Sequence, residues 1–113
     1  MLTIDQLREM GVQPEDGLKR CMDDENFYLT LVKMVPGDAG FQNLEMALGE
    51  QNLDAAFEAA HALKGVLGNL SLTPLYEPVQ EITELLRNRT EMDYTPLLET
   101  ILEQRKILEG LCG

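Results

Sequence analysis

With 113 residues, the chain is long enough for one domain whose core needs no metal or disulfide. Hydrophobic residues make up 44% of it but aromatic residues only 5%, which favours a core of Leu, Met, Val and Ala packed by helices. Nine basic against twenty acidic residues give a net charge of −11, which argues against nucleic acid and anionic membranes as partners. We expect a single all-α domain, residues 1–113.

The cysteines, the N-terminus and the lengths of the apolar runs indicate the cellular compartment of the protein. Cys21 and Cys112 stand far apart without the spacing of a zinc site, so we expect free thiols and no metal. Methionines near helix boundaries could bind a soft metal, but core packing explains them better. The N-terminus does not resemble a signal peptide, and no apolar run approaches the roughly 18–20 residues of a membrane span. We expect a cytoplasmic protein.

The first half of the chain predicts two short helices and one interrupted helix. Thr3 is a cap for a helix over residues 4–10, with Gln6 in the capping-box position and Gly11 as the stop. Pro14 begins a second helix that ends near residue 23, and Asp24 caps a third, which breaks at residues 36–37 and resumes to residue 49. The predicted inward side chains include Leu18, Cys21, Met22, Phe27, Tyr28, Leu31, Val32, Val35, Phe41, Leu44 and Leu48.

The segment 52–72 contains the chain's only histidine, His61, on a predicted helix. Its apolar side chains form one buried stripe: Leu53, Ala56, Phe57, Ala60, Leu63, Leu67 and Leu70. His61 points roughly 130° from the centre of this stripe, so we expect an exposed imidazole. Lys64 stands at the edge of the stripe, one turn from the histidine.

Gly65 and Gly68 lie on the same side of this helix as His61. A glycine inside a helix costs about 0.8–1 kcal/mol relative to alanine, so the pair needs an explanation. Facing outwards, the two glycines clear space for a large partner to approach the ring. We therefore predict a docking surface around an accessible nucleophile.

The second half of the chain predicts two more helices. Thr73 is the predicted cap and Pro74 the first residue of a helix that ends near residue 89 and returns antiparallel to the histidine helix. This pairing places His61 near Ile82, Thr83 and Glu84, and Thr83 is a candidate to orient the ring. The last helix covers residues 93–111, with core side chains Leu97, Leu98, Ile101, Leu102, Ile107 and Leu108.

The predicted architecture is an antiparallel four-helix bundle with short additional helices at the N-terminus. No glycine-rich phosphate loop, HExxH motif or nucleophile elbow occurs, so no ATP site is visible. What remains is a nucleophilic ring at His61 and a cation, Lys64, able to lie beside an anion attached to it. A phosphoryl group suits this pair, because phosphoryl transfer needs in-line access and positive charge more than covalent help.

The run from His61 to Gly65, HALKG, followed by Gly68, Leu70 and Leu72, resembles the signature of histidine-containing phosphotransfer (Hpt) domains, which are helical bundles. The resemblance implies that His61 is phosphorylated, that Lys64 supports the phosphoryl group and that Gly65 makes room for the partner's active site. It also implies transfer between aspartates of response-regulator receiver domains, with Mg²⁺ on the receiver and no cofactor in this chain. Ser71 departs from a turn glycine common in the family, and Thr83 from a glutamine that some members have.

We therefore expect a phosphorelay intermediate that serves a receiver domain, a histidine kinase or both. It would be a monomer, and a phosphocarrier that is not itself an enzyme. The alternative is a helical adaptor that binds a receiver or kinase through the His61 face without transferring anything. Substitution of His61 separates the two, because an adaptor keeps its binding and never carries phosphate.

Overall fold

A computed structural model describes residues 1–113 and contains helices but no strand. The all-α prediction is confirmed. In chain order the elements are α1 (Ile4–Met10), α2 (Glu15–Arg20), α3 (Glu25–Met34), a 3₁₀ turn (Val35–Gly37), α4 (Ala39–Gly49), α5 (Leu53–Asn69), α6 (Thr73–Arg87) and α7 (Thr95–Cys112).

Helix α5 is the centre of the bundle, since it packs along α4 on one side and along α6 on the other. Helix α7 packs against α6 and also contacts α1 and the 3₁₀ turn. The core between these elements is mainly aliphatic and includes Phe41, Leu44, Leu63, Leu67, Leu75, Val79, Ile82, Leu86, Ile101 and Leu108. None of the helices combines the length and the apolar character that crossing a bilayer requires.

Side chains of the types expected at helix N-termini begin four of the helices. Thr3 forms the predicted capping box with Gln6 at the start of α1. Asp24 accepts a hydrogen bond from the Phe27 N–H, and Asp38 and Asn52 cap α4 and α5 in the same manner. The break at residues 36–37 becomes the 3₁₀ turn between α3 and α4.

Several helix ends use a left-handed residue that is not glycine. After α5, Ser71 has φ of 58°, its N–H donates to the Gly68 carbonyl, and the Leu72 N–H donates to the Leu67 carbonyl. Gln51 after α4 and Arg89 after α6 adopt the same conformation. These paired bonds satisfy carbonyls that would otherwise be free at a helix C-terminus. Ser71 thus performs the turn that glycine makes more readily.

Some details of the sequence prediction are wrong. Thr73 is the first residue of α6 and not its cap, which is Leu72, and α6 ends at Arg87. Three predicted inward side chains are exposed instead: Met22 by 90%, Phe27 by 51% and Ile107 by 42%. Met22 falls in the left-handed turn after α2, where helical spacing no longer applies, and the other two lie at the margins of their helices' apolar faces.

The N-terminal helices hold the C-terminal end of α5. The Tyr28 hydroxyl, on α3, donates a buried hydrogen bond of 2.6 Å to the Leu70 carbonyl. Arg20, which ends α2, donates from Nη1 to the carbonyls of Gly68 and Asn69, at 3.1 Å each. A cation at a helix C-terminus also complements the helix dipole. The histidine helix is therefore fixed at the end that follows His61.

Candidate functional site

His61 lies on the exposed side of α5, with buried Ala60 and Leu63 beside it facing the core. Asn52 caps the start of the helix and the N-terminal helices hold its end, so the backbone under the histidine is constrained along its length. No protein group makes a hydrogen bond to the imidazole. The ring is accessible as the sequence predicts, and both of its nitrogens are free of protein partners.

Gly65 follows His61 by one turn, on the same exposed side. A Cβ placed on Gly65 would meet nothing within 4 Å. No packing within the chain therefore requires glycine at this position. The open space beside the imidazole is what a docking role for Gly65 needs.

Gly68, predicted together with Gly65 as a docking residue, has a different environment. A Cβ at this position would lie 3.1 Å from Cε1 of Tyr76 on α6, and the Gly68 carbonyl accepts the bond from Arg20. Packing against Tyr76 within the chain therefore favours a small residue at this position. Its part in docking stays a prediction.

Lys64 reaches across to α6, where its Nζ lies 3.7 Å from Oε1 of Glu84. The other oxygen of the same carboxylate, Oε2, lies 3.3 Å from Nε of Arg87. Glu84 thus holds two cations on the α6 side of His61. The Lys64 side chain is 26% exposed, so water and an arriving anion can both compete with Glu84 for it.

Phe57 is the aromatic neighbour of the histidine. Its ring stacks on the His61 ring with centroids 5.6 Å apart and an angle of 18° between the planes. The guanidinium carbon of Arg87 lies 5.1 Å from the Phe57 centroid. The sequence assigns Phe57 only to the buried stripe, although its position four residues before His61 already makes the two rings neighbours on a helix.

Thr83, the residue predicted to orient the imidazole, is fully buried. Its hydroxyl donates a hydrogen bond of 2.6 Å to the Val79 carbonyl one turn earlier in α6, which is a common arrangement for threonine inside a helix. No hydrogen bond joins Thr83 to His61. The structure therefore shows no contact by which Thr83 would orient the imidazole, and that role stays a prediction. The residues of α6 that face the site are Glu84 and Arg87.

The opposite flank of His61, towards α4, has a mixed lining. A groove between α4 and α5 is lined by apolar residues that include Met46, Ala59 and Ala62, and by the carboxylates of Asp38, Glu50 and Glu58. Met46 is half exposed and Val66, one turn beyond Ala62, is partly exposed. The histidine therefore lies between the Lys64–Glu84–Arg87 group towards α6 and a partly apolar, acidic groove towards α4. No group of three or more His, Cys, Asp or Glu side chains is close enough to hold a metal ion.

Comparison with known protein families gives one match. The family model described as "Hpt domain" matches residues 37–111, which extend from the end of the 3₁₀ turn to α7 and include every site residue named above. Helices α1 to α3 precede the matched region. Neither a curated protein nor a solved structure shows significant similarity to the chain.

Proposed function

Because the chain belongs to the Hpt domain family, we propose that it is a phosphorelay intermediate in which His61 carries the phosphoryl group. Hpt domains are phosphocarrier modules of two-component and phosphorelay signalling, and they interact with receiver domains and kinases. The observation that carries the assignment to His61 is its place in the matched region: the only histidine of the chain is exposed, without a hydrogen-bonded partner, beside the open space at Gly65.

The proposed reaction is a displacement at phosphorus. A neutral ring nitrogen of His61 donates its lone pair to the phosphorus of an aspartyl phosphate on the receiver, and an N–P bond forms. The P–O bond to the aspartate breaks, and its electron pair stays on the restored carboxylate. The second ring nitrogen keeps its proton, which the phosphorylated ring can later release to water. Transfer to a second receiver reverses these bond changes.

Lys64 supports the phosphoryl group in this proposal. Its Nζ is held by a single partly exposed carboxylate at 3.7 Å, and a phosphoryl group on the neighbouring ring offers more negative charge. Lys64 can therefore move from Glu84 to the phosphoryl oxygens at low cost. Mg²⁺, which neutralises charge during the transfer, is proposed to come with the receiver and not from this chain.

The surroundings of His61 support a protein partner. The groove beside α4 offers apolar surface at Met46, Ala59 and Ala62 for a partner to bury, and Gly65 leaves room for the receiver's active site to reach the ring. The net charge of −11 disfavours nucleic acid. We propose that one monomer presents one histidine, and that a docked receiver or kinase completes the site.

Phosphate acceptance from a phosphorylated receiver tests the proposal. The chain is mixed with a panel of labelled receiver domains and Mg²⁺, and its phosphate is tested for stability in base and lability in acid, as expected of phosphohistidine. Label of this kind on the native chain and its absence from His61→Gln support the proposal. Equal labelling of His61→Gln contradicts it, and unchanged binding of His61→Gln with no label on either chain would instead identify an adaptor.

A further inference from the structure

The exposed imidazole of His61 is held by an aromatic stack and not by hydrogen bonds. Phe57 and His61 are one helical turn apart, and their rings are nearly parallel, with 18° between the planes. Centroids 5.6 Å apart lie within the range in which offset aromatic pairs attract each other. Phe57 is half buried, so one end of the stack is anchored in the bundle while the other is accessible to a partner.

Helix α6 holds Phe57 in turn. The Arg87 guanidinium lies over the Phe57 ring, at 5.1 Å from its centroid, and this guanidinium is paired with Glu84. A cation over an aromatic face is an attractive contact. The position of the imidazole is thus linked through Phe57 to α6, although no atom of α6 is hydrogen-bonded to it.

We infer that Phe57 is a positioning residue for phosphoryl transfer, and that its ring restricts the plane of the His61 imidazole. The inference rests on the proposed function of His61. An imidazole on an exposed helical surface has two rotatable side-chain bonds, and in-line attack requires its nitrogen to point along one direction. Stacking removes orientations in which the ring turns away from Phe57, so fewer encounters with a receiver are unproductive.

The size of the expected effect follows from the strength of an aromatic pair. If the stack is lost and the ring must be ordered at each encounter, transfer at saturating receiver slows by about 2- to 10-fold. Affinity for the receiver changes little, because Phe57 is covered in part by Arg87 and offers the partner little surface. A residue that served only the core would affect thermal stability and leave the transfer rate of the folded protein unchanged.

The test compares Phe57→Leu with Phe57→Tyr in the full chain. Phe57→Leu keeps an apolar side chain and removes the stack, whereas Phe57→Tyr keeps the aromatic ring. Phe27→Leu is the matched control, since Phe27 is a half-exposed phenylalanine on α3 whose ring stacks on no other aromatic ring. For each variant one measures the maximal transfer rate, the dissociation constant for the receiver, the melting temperature and the ring-proton chemical shifts of the single histidine.

We expect Phe57→Leu to lower the maximal rate and to move the His61 ring protons away from their shifts in the native chain, with Phe57→Tyr and Phe27→Leu close to native in rate. Should Phe57→Leu fail to fold, Phe57→Met supplies a flexible side chain of similar volume. A native maximal rate in a folded Leu or Met variant overturns the inference while the carrier function stands. Absence of phosphate from the native chain would instead overturn the proposed function.

Discussion

Gly65 and Gly68 lie on the same helix but in different surroundings. At Gly68 a Cβ would lie 3.1 Å from Cε1 of Tyr76, so the tyrosine ring would have to shift slightly to admit a side chain. Gly65 has open space around it and gains nothing within the chain from lacking a side chain. A helix would be more stable with almost any other residue at this position. We propose that Gly65 keeps space open for a partner beside His61.

Replacing Gly65 by Gln is expected to stabilise the protein slightly and to slow transfer. Helix propensity favours Gln over Gly by about 0.5 kcal/mol, and the new side chain meets no atom of the chain at its Cβ. The same side chain obstructs an approaching receiver, so transfer should slow by about tenfold or more. Chemical denaturation and single-turnover transfer measure the two effects.

Gly110 provides the matched control for this substitution. It lies in α7, outside the site, and a Cβ there also meets nothing within 4 Å. Gly110→Gln should leave transfer at the native rate. Unfolding of Gly65→Gln, or transfer as fast as in the native chain, would contradict the docking role of Gly65.

A second prediction for a single residue concerns the replacement of Lys64 by alanine. Its pair with Glu84 is partly exposed, so Lys64→Ala should change the free energy of unfolding by less than about 1 kcal/mol. Loss of a cation beside the phosphoryl group should slow transfer, or shorten the lifetime of the phosphohistidine, by about two- to fivefold. Lys64→Arg, which keeps the charge, is the control. Rates and lifetimes equal to native in Lys64→Ala would remove Lys64 from the mechanism.

At the scale of elements, the histidine helix is completed by helices outside the region that the family model matches. Residues 1–36 precede that region, yet Tyr28 and Arg20 bind the last carbonyls of α5. Gly17 on α2 permits this contact, because a Cβ there would lie 2.8 Å from the Leu70 carbonyl oxygen. The N-terminal helices α2 and α3 are therefore part of the support for the histidine helix.

Tyr28→Phe tests this support through its dependence on pH. Burial raises the pKa of the Tyr28 phenol from 10.0 to about 12, with smaller contributions from the Cys21 thiol and the Glu15 carboxylate. Because the folded pKa is the higher one, the stabilisation by the neutral phenol is complete below pH 10 and is lost as the pH rises towards 12. At pH 8 the variant should be less stable by about 1–2 kcal/mol, the cost of the lost hydrogen bond.

The difference in unfolding free energy between native chain and variant should shrink by about 1.4 kcal/mol between pH 8 and pH 11, since only the native chain loses the contribution of Tyr28. Urea denaturation at the two pH values measures it. Tyr76→Phe is the control, because the Tyr76 hydroxyl makes no hydrogen bond with the protein. A difference that stays constant between the two pH values would contradict the account of Tyr28.

Predictions from the sequence succeed where the information lies within one helix. The apolar stripe, the cap of α1 and the exposed face with His61 follow from spacing along the chain. The antiparallel pairing places Glu84 near His61, but the contacts of Glu84 with Lys64 and of Arg87 with Phe57 could not be derived in this way, because they depend on the rotation of α6 against α5. The left-handed turns at Gln51, Ser71 and Arg89 were equally hidden, since residues with a Cβ give little signal for that conformation.

At the scale of the whole molecule, the net charge of −11 repels small free anions. This agrees with the proposal that phosphate reaches His61 on a docked receiver, where its charge is already partly neutralised. For the proposed transfer, the bundle supplies one nucleophile, His61, the cation Lys64 beside it, and the groove towards α4. Helices α2, α4 and α6 pack against α5, and Tyr28 on α3 bonds to the end of it.

The most direct test of the relay is a complete passage of one phosphoryl group through the chain. The protein is labelled by one phosphorylated receiver, separated from it, and mixed with a second, unlabelled receiver and Mg²⁺. The account predicts that the label leaves His61 for the second receiver faster than it appears as inorganic phosphate, and that His61→Gln takes up and passes on none. Label that never leaves the chain, or that passes through His61→Gln at the native rate, would contradict it.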